Sequence, residues 1–267
     1  MQPVEVIQGN GPVILGQPHS GTFVPDDIYQ NLNPLGWQLV DTDWHIPQLY
    51  EGLLENVTTV RANFSRYVID PNRDPEGTSL YPGQNTTELV PMTTFDGDPI
   101  WLNPPTQDDI FQLINLYHSE YHRALRSEIE RVKSQHGIAV LYDCHSIRSQ
   151  ASHLFDGRLP DLNIGTNSGA SCSTAISQAV LNTCANTTSY SHVLNGRFKG
   201  GWTTRHYGDP ANNVHALQME LAQLNYLETE IPPFTYHEAS AAKLRKVLQR
   251  ILQNIQHTID TSLQAEL

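Results

Sequence analysis

A chain of 267 residues is long enough for one large α/β domain with its own core. Hydrophobic residues make up 39% and charged residues 16%, which excludes a disordered or fibrous chain. The net charge of -12 excludes a non-specific nucleic-acid binder, but a few arginines in a cleft would still accept a small anion.

Three cysteines, Cys144, Cys172 and Cys184, without a CxxC spacing, argue against a disulfide framework or a cysteine-rich zinc site. No leader of basic then apolar residues is visible, and no apolar run approaches membrane-spanning length. A single domain over residues 1–267, in a reducing cytoplasm with no membrane partner, is the expectation. The oligomeric state is not readable.

In chain order, residues 12–16 read as a short buried strand running into Gln17-Pro18-His19-Ser20-Gly21. Proline and glycine make this a rigid polar turn, and His19 is a first candidate ligand. A short helix is expected over 25–32. A second begins near Ile46, whose apolar residues to Leu54 have helical spacing. Asp41, Thr42 or Asp43 could cap it. Two carboxylates and His45 within five residues exceed what a cap needs, so one aspartate is a candidate oxygen ligand.

Residues 57–62 form a β-branched strand, and Tyr67-Val68-Ile69 reads as another short one, bracketed by Arg66 and by Asp70, Asn72 and Arg73. Arginine holds carboxylates in a planar, two-pronged way, so this group suggests an anion pocket. An Arg66–Asp70 or Asp70–Arg73 ion pair explains it equally well. Residues 74–105 lack periodicity and read as a long loop over the active site, with a tight turn at 93–98. Residues 106–135 are helical, with Ile110, Leu113, Tyr121, Leu125, Ile129 and Val132 on one face. His122, beside that stripe, reads as structural.

The apolar stretch Val140-Leu141-Tyr142 is a strand that ends in Asp143-Cys144-His145-Ser146-Ile147-Arg148. Asp143 and His145 fall on one face, where the carboxylate could orient the ring of a metal-ligating histidine. Cys144 points the other way, into the core. Residues 149–171 read as loop, with a helix from Ser171 or Ser173 to about Asn186 and a strand over 191–195. Gly196-Arg197-Phe198-Lys199-Gly200-Gly201 brings cations and close-approach glycines to its end. Residues 202–208 suit a loop or short helix lining a pocket. Residues 214–223 alternate like a strand, with Val214, Ala216, Gln218 and Glu220 on one face. A carboxylate ending such a strand has the form of a general base. A packing helix over about 238–262 closes the chain.

Two histidines and a carboxylate are a common zinc set that leaves one position for water, whose pKa the metal lowers to about 7. A separate carboxylate, here Glu220, can then move the proton. No HExxH motif is present. No GxSxG elbow supports Ser146 as a nucleophile, and neighbours on a strand face opposite ways.

These segments, with Gly157-Arg158-Leu159-Pro160-Asp161, Thr204-Arg205-His206-Tyr207-Gly208 and Gln218-Met219-Glu220, strongly resemble the N-formylglutamate amidohydrolases (deformylases), in order from about residue 12 to 225. The resemblance implies an α/β, three-layer α/β/α sandwich around a mixed sheet, phosphorylase/hydrolase-like and similar to the zinc carboxypeptidases. It implies release of formate and L-glutamate from the dianion N-formyl-L-glutamate, late in histidine degradation. His19 and His145 would hold Zn2+, with Co2+ or Mn2+ as substitutes. Thr22 stands where a carboxypeptidase HxxE motif has its Glu, so an aspartate takes that place, Asp43 in preference to Asp41. Glu220 looks like the base, and Arg66 or Arg73 like the oxyanion donor. Arg66, Asn72 and Arg73 look like the substrate-carboxylate group, with Arg197, Arg205 and His206 as further candidates. Hydrolysis of another acidic N-acyl amino acid, or binding of an acidic ligand without turnover, are the alternatives.

Overall fold

The computed structural model describes residues 2–78, 83 and 85–263. Its strands are β1 (Val4–Ile7), β2 (Val13–Gln17), β3 (Thr58–Ala62), β4 (Ala139–Ile147), β5 (Leu162–Gly165), β6 (His192–Leu194) and β7 (Val214–Ala222). Its α-helices are α1 (Asp26–Tyr29), α2 (Ile46–Tyr50), α3 (Gln107–Leu113), α4 (Ser119–His136), α5 (Thr174–Ala185), α6 (Trp202–Tyr207) and α7 (Glu238–Thr258). The strands form one mixed sheet in the order β1-β3-β2-β4-β7-β5-β6. The inner strands β3, β2, β4 and β7 are parallel, while β1 and β5 run antiparallel to their inner neighbours.

Burial on both faces explains why β2 and β4 read as continuous apolar runs. Val13, Leu15, Tyr142, Cys144, Leu217 and Met219 pack against one helical layer that includes Leu49, Ile176, Leu248 and Leu252. Ile14, Val60, Leu141 and Ala216 pack on the opposite side against Tyr121, Leu125, Ile129 and Val132 of α4. The result is the expected α/β/α sandwich. Because side chains alternate, Asp143 and His145 share the α4 face with Gln218 and Glu220, and Cys144 turns into the other core. The parallel strands β2, β4 and β7 end along one edge, where His19, His145 and Glu220 collect.

Several elements differ from expectation. Residues 67–69 are not a strand: residues 66–68 form a turn closed by Val68 N–H donating to Ser65 O at 2.9 Å, and Ile69 follows it as irregular backbone. Their apolar character reflects burial, since Tyr67, Val68 and Ile69 are all at most 1% exposed. α2 is short and no aspartate caps it. His45 precedes it in the left-handed region at φ 59°, which leaves Asp41 and Asp43 available for other partners. β1 and β5, absent from the sequence reading, are four-residue strands too short for a clear alternation. The long helix is capped by Thr106 and Asp109 in a reciprocal box, is interrupted by a π-turn at Ile114–His118, and ends at Gly137 with φ 73°. The tight turn is present, with Gly97 N–H donating to Thr94 O at 2.9 Å. Residues 79–82 and 84 of the long loop lie outside the described residues. No helix among the described residues is long and apolar enough to cross a membrane.

Candidate metal centre and active-site cleft

Two residues beyond β2, the chain turns at His19, and Asp43 N–H donates to His19 O at 3.1 Å, which sets the aspartate beside the histidine. Side-chain donor atoms of His19, Asp43 and His145 all lie within 4.8 Å of one another, and all three residues are buried. The two Nδ1 atoms are 3.1 Å apart. Asp43 Oδ2 is 3.3 Å from His145 Nδ1 and 3.7 Å from His19 Nδ1. The far edges of both rings face carboxylates: His19 Nε2 is 2.7 Å from Asp70 Oδ1, and His145 Nε2 is 2.9 Å from Asp143 Oδ2. With Asp70 at its Nε2, His19 turns its Nδ1 toward His145 and Asp43. Burial would lower the His145 pKa, but Asp143, Asp43 and Glu220 hold it well above 6.5, so the metal-free centre keeps a proton where a cation would take its place. Asp43 Oδ1 is also buried without a hydrogen-bond partner among the described residues. The donor set therefore fits a divalent metal, with carboxylates orienting each imidazole from behind.

Asp70 is a hub. It accepts from His19, from Asn72 N–H at 2.8 Å and from Arg66 Nη2 at 2.6 Å. Burial alone would raise its pKa, but His19, Arg66 and Arg73 hold it well below the usual carboxylate range. Glu220 is the register partner of His145 on β7, and Gln218 Nε2 donates to its Oε2 at 2.9 Å. Burial pushes the Glu220 carboxyl up to about 8, with Asp43 and Asp143 adding to the rise and His145 and Arg66 opposing it. Ser146 donates its N–H to Asp43 Oδ2 at 3.0 Å, while its hydroxyl accepts from Tyr226 at 2.8 Å. That hydroxyl is thus placed away from His145.

A family model described as N-formylglutamate amidohydrolase matches residues 11–227. The chain belongs to the N-formylglutamate amidohydrolase family. It is 46% identical over 249 residues to an N-formylglutamate deformylase of Pseudomonas putida, covering 92% of each chain. It is 43% identical to a protein of the same name from Pseudomonas aeruginosa, covering 93% of this chain and 94% of that one. The crystal structure of an N-formylglutamate amidohydrolase from Ralstonia eutropha JMP134 superposes with a TM-score of 0.80 at 25% identity, over 97% of this chain and 98% of the other.

In this member of the N-formylglutamate amidohydrolase family, a cleft with ≈ 570 Å³ of empty space opens over the centre. His19, His145, Glu220, Arg66, Asn72, Arg73 and Arg197 all line it, together with Asn85, Thr87 and Phe95 from the long loop. Arg73 donates to Thr87 O at 2.9 Å and Thr87 Oγ1 at 2.7 Å, and Arg197 donates to Leu154 O and Asn85 O, each at 2.9 Å. Arg205 and His206 are not among these lining residues. Arg205 Nε donates to Gly200 O at 2.9 Å, and His206 stacks on Trp202 beside Arg126. Gly201 lines the cleft and packs on Asn72: a Cβ there would lie 2.3 Å from Asn72 Nδ2. Asn72 Oδ1 accepts from Thr203 N–H at 2.9 Å, so α6 is anchored against the carboxylate-binding candidate. Asp41 turns away from the histidines and accepts from Tyr67 and Phe95.

Proposed function

We propose that this protein hydrolyses N-formyl-L-glutamate to L-glutamate and formate, with a divalent cation held by His19, Asp43 and His145. The observation that carries this reading is the convergence of two imidazoles and a carboxylate beside Glu220, in a cleft also lined by arginines. Zinc suits such a donor set, and cobalt or manganese could replace it. The cation, when bound, would polarise the formyl carbonyl and lower the pKa of a water to about 7.

The chain's own residues supply the rest. Glu220, whose carboxyl burial pushes up to about 8 and a neighbouring cation would bring back down, is placed to take a proton from the attacking water and return it to the departing amide nitrogen. Arg66 Nη1 lies 3.8 Å from Asp43 Oδ1, which makes it the cleft arginine beside the triad and the donor for the developing oxyanion. Arg73, Arg197 and Asn72 would orient the two carboxylates of the substrate. One catalytic domain would carry the whole reaction, and a place in histidine degradation rests on the family resemblance.

The test pairs metal analysis with a formate-release assay. About one zinc per chain and formate release from N-formylglutamate far above that from N-acetylglutamate are expected. Full activity in metal-free protein would remove the cation, and no formate release in metal-loaded protein would remove the substrate.

A further inference from the structure

Asp41 is a buried carboxylate, two residues before Asp43, that stands outside the triad. Its Oδ2 accepts from the Tyr67 hydroxyl at 2.7 Å and from the Phe95 backbone N–H at 3.0 Å. Its Oδ1 lies 3.5 Å from Arg148 Nη2, and Arg148 Nη1 donates to Asp96 Oδ2 at 2.7 Å. Asp41 and Arg148 therefore grip two successive residues of one turn, which Gly97 closes at φ 88°. The consequence falls on the Phe95 ring. It covers the Arg66 guanidinium, with Cζ 4.8 Å from the ring centroid, and both side chains are 5% exposed at the wall of the cleft. An acyl group must reach the triad and Arg66 together, so a ring over Arg66 bounds the space beside the acyl carbon.

We propose that Asp41 is a positioning residue that seats Phe95 against Arg66, and that the ring so placed restricts the acyl group to formyl. This rests on the hydrolase reading above. A carboxylate that only held the fold together would leave substrate choice unchanged. One extra methyl is worth roughly 10–200-fold where a pocket is shaped against it, so removing the barrier should be measurable.

The experiment compares kcat/KM for N-formylglutamate and N-acetylglutamate in the metal-loaded wild type, Phe95→Ala, Asp41→Ala and the double variant. The acetyl-to-formyl ratio should rise about tenfold or more in each single variant. It should rise no further in the double, because both changes act through one ring. Metal content should stay at the wild-type level. A ratio unmoved in either single variant, additive shifts in the double, or loss of metal in Asp41→Ala would overturn the inference. Where Asp41→Ala does not fold, Asp41→Asn carries the test. Its amide NH2 must face either Arg148 or the Phe95 N–H, donor against donor, so the ratio should still rise, and an unchanged ratio overturns the inference. A wild type that releases no formate removes the hydrolase reading and this inference with it. An active wild type with unmoved ratios removes this inference alone.

Discussion

Glu220 accepts a side-chain hydrogen bond from Gln218, and it lines the same cleft as His19 and His145. Glu220→Gln keeps the shape and the neighbour but cannot take a proton. Formate release should fall on the order of a hundredfold or more while calorimetry still detects glutamate binding. Full activity would place the base elsewhere. Asp70 acts differently, since it touches His19 Nε2 and not the cleft's reacting atoms. Asp70→Asn should weaken metal affinity by about 10–100-fold, measured by competition with a chelator, because a neutral amide holds the His19 ring more weakly and its NH2 opposes either His19 or Arg66, donor against donor. Equal affinity would make Asp70 a partner of Arg66 only. At this scale His19, His145 and Glu220 were legible because a polar side chain at the end of an apolar strand has no packing reason to be there. The link between Asp70 and His19 was not, since the partners are 51 positions apart and the local pair Arg66–Asp70, also present at 2.6 Å, already explained the carboxylate. Arg205 and His206 were candidates by residue type alone; they sit in α6 and are not among the described residues that line the cleft.

The π-turn between α3 and α4 places His118 and His122 against the back of the segment that carries Asn72 and Arg73. His118 Nε2 is 3.0 Å from Arg73 O, and His122 Nε2 is 2.7 Å from Pro71 O. A carbonyl only accepts, so His122 carries a proton on Nε2, and its Nδ1 lies 3.0 Å from the Tyr207 hydroxyl, which donates to the His122 carbonyl. Burial pushes the His122 pKa well below 6.5, the charges of His118, His206 and Arg126 adding and the Pro71 carbonyl opposing. Above pH 6.5 neither folded nor unfolded chain protonates this residue. Below it the unfolded chain takes up a proton that the folded chain refuses, so stability is lost as pH falls, by at most about 1.4 kcal/mol per unit. Urea midpoints between pH 7.5 and 5.5 should therefore fall more steeply in wild type than in His122→Gln, and parallel curves would assign the acid limb to other groups. The sequence marked His122 as structural but could not supply its partners, which come from residues 71 and 207. Periodicity likewise recovered the long helices and the inner strands. It failed at Tyr67-Val68-Ile69, where burial of three successive apolar residues imitates a strand, and at β1 and β5, where four residues are too few to alternate.

Across the whole molecule, the centre joins parts of the chain that share no local structure. His19 and His145 are separated by 126 positions, and Asp43 is tied to the end of β4 through Ser146 N–H, 103 positions away. The α/β class was readable from the strands and helices and the sandwich followed from the family resemblance, but the strand order that brings β2, β4 and β7 side by side depends on long-range pairing that no local pattern encodes. A cation at this junction would bind the folded chain and not the unfolded one, in which the three donors are dispersed. Such binding stabilises by RT ln(1 + [L]/Kd), about 4 kcal/mol at a thousandfold excess over Kd. For a chain of this size each kcal/mol moves Tm by roughly 2–4 °C, so zinc-loaded and chelated wild type should differ in Tm by roughly 10 °C. His19→Ala and His145→Ala each remove a ligand, and their Tm should respond little to added zinc. The comparison separates a ligand from a merely structural histidine: a structural loss would lower Tm equally with and without metal, whereas loss of a ligand lowers it chiefly in the loaded protein. A wild type whose Tm is indifferent to both zinc and chelator would leave the convergence of His19, Asp43 and His145 without a cation to explain it.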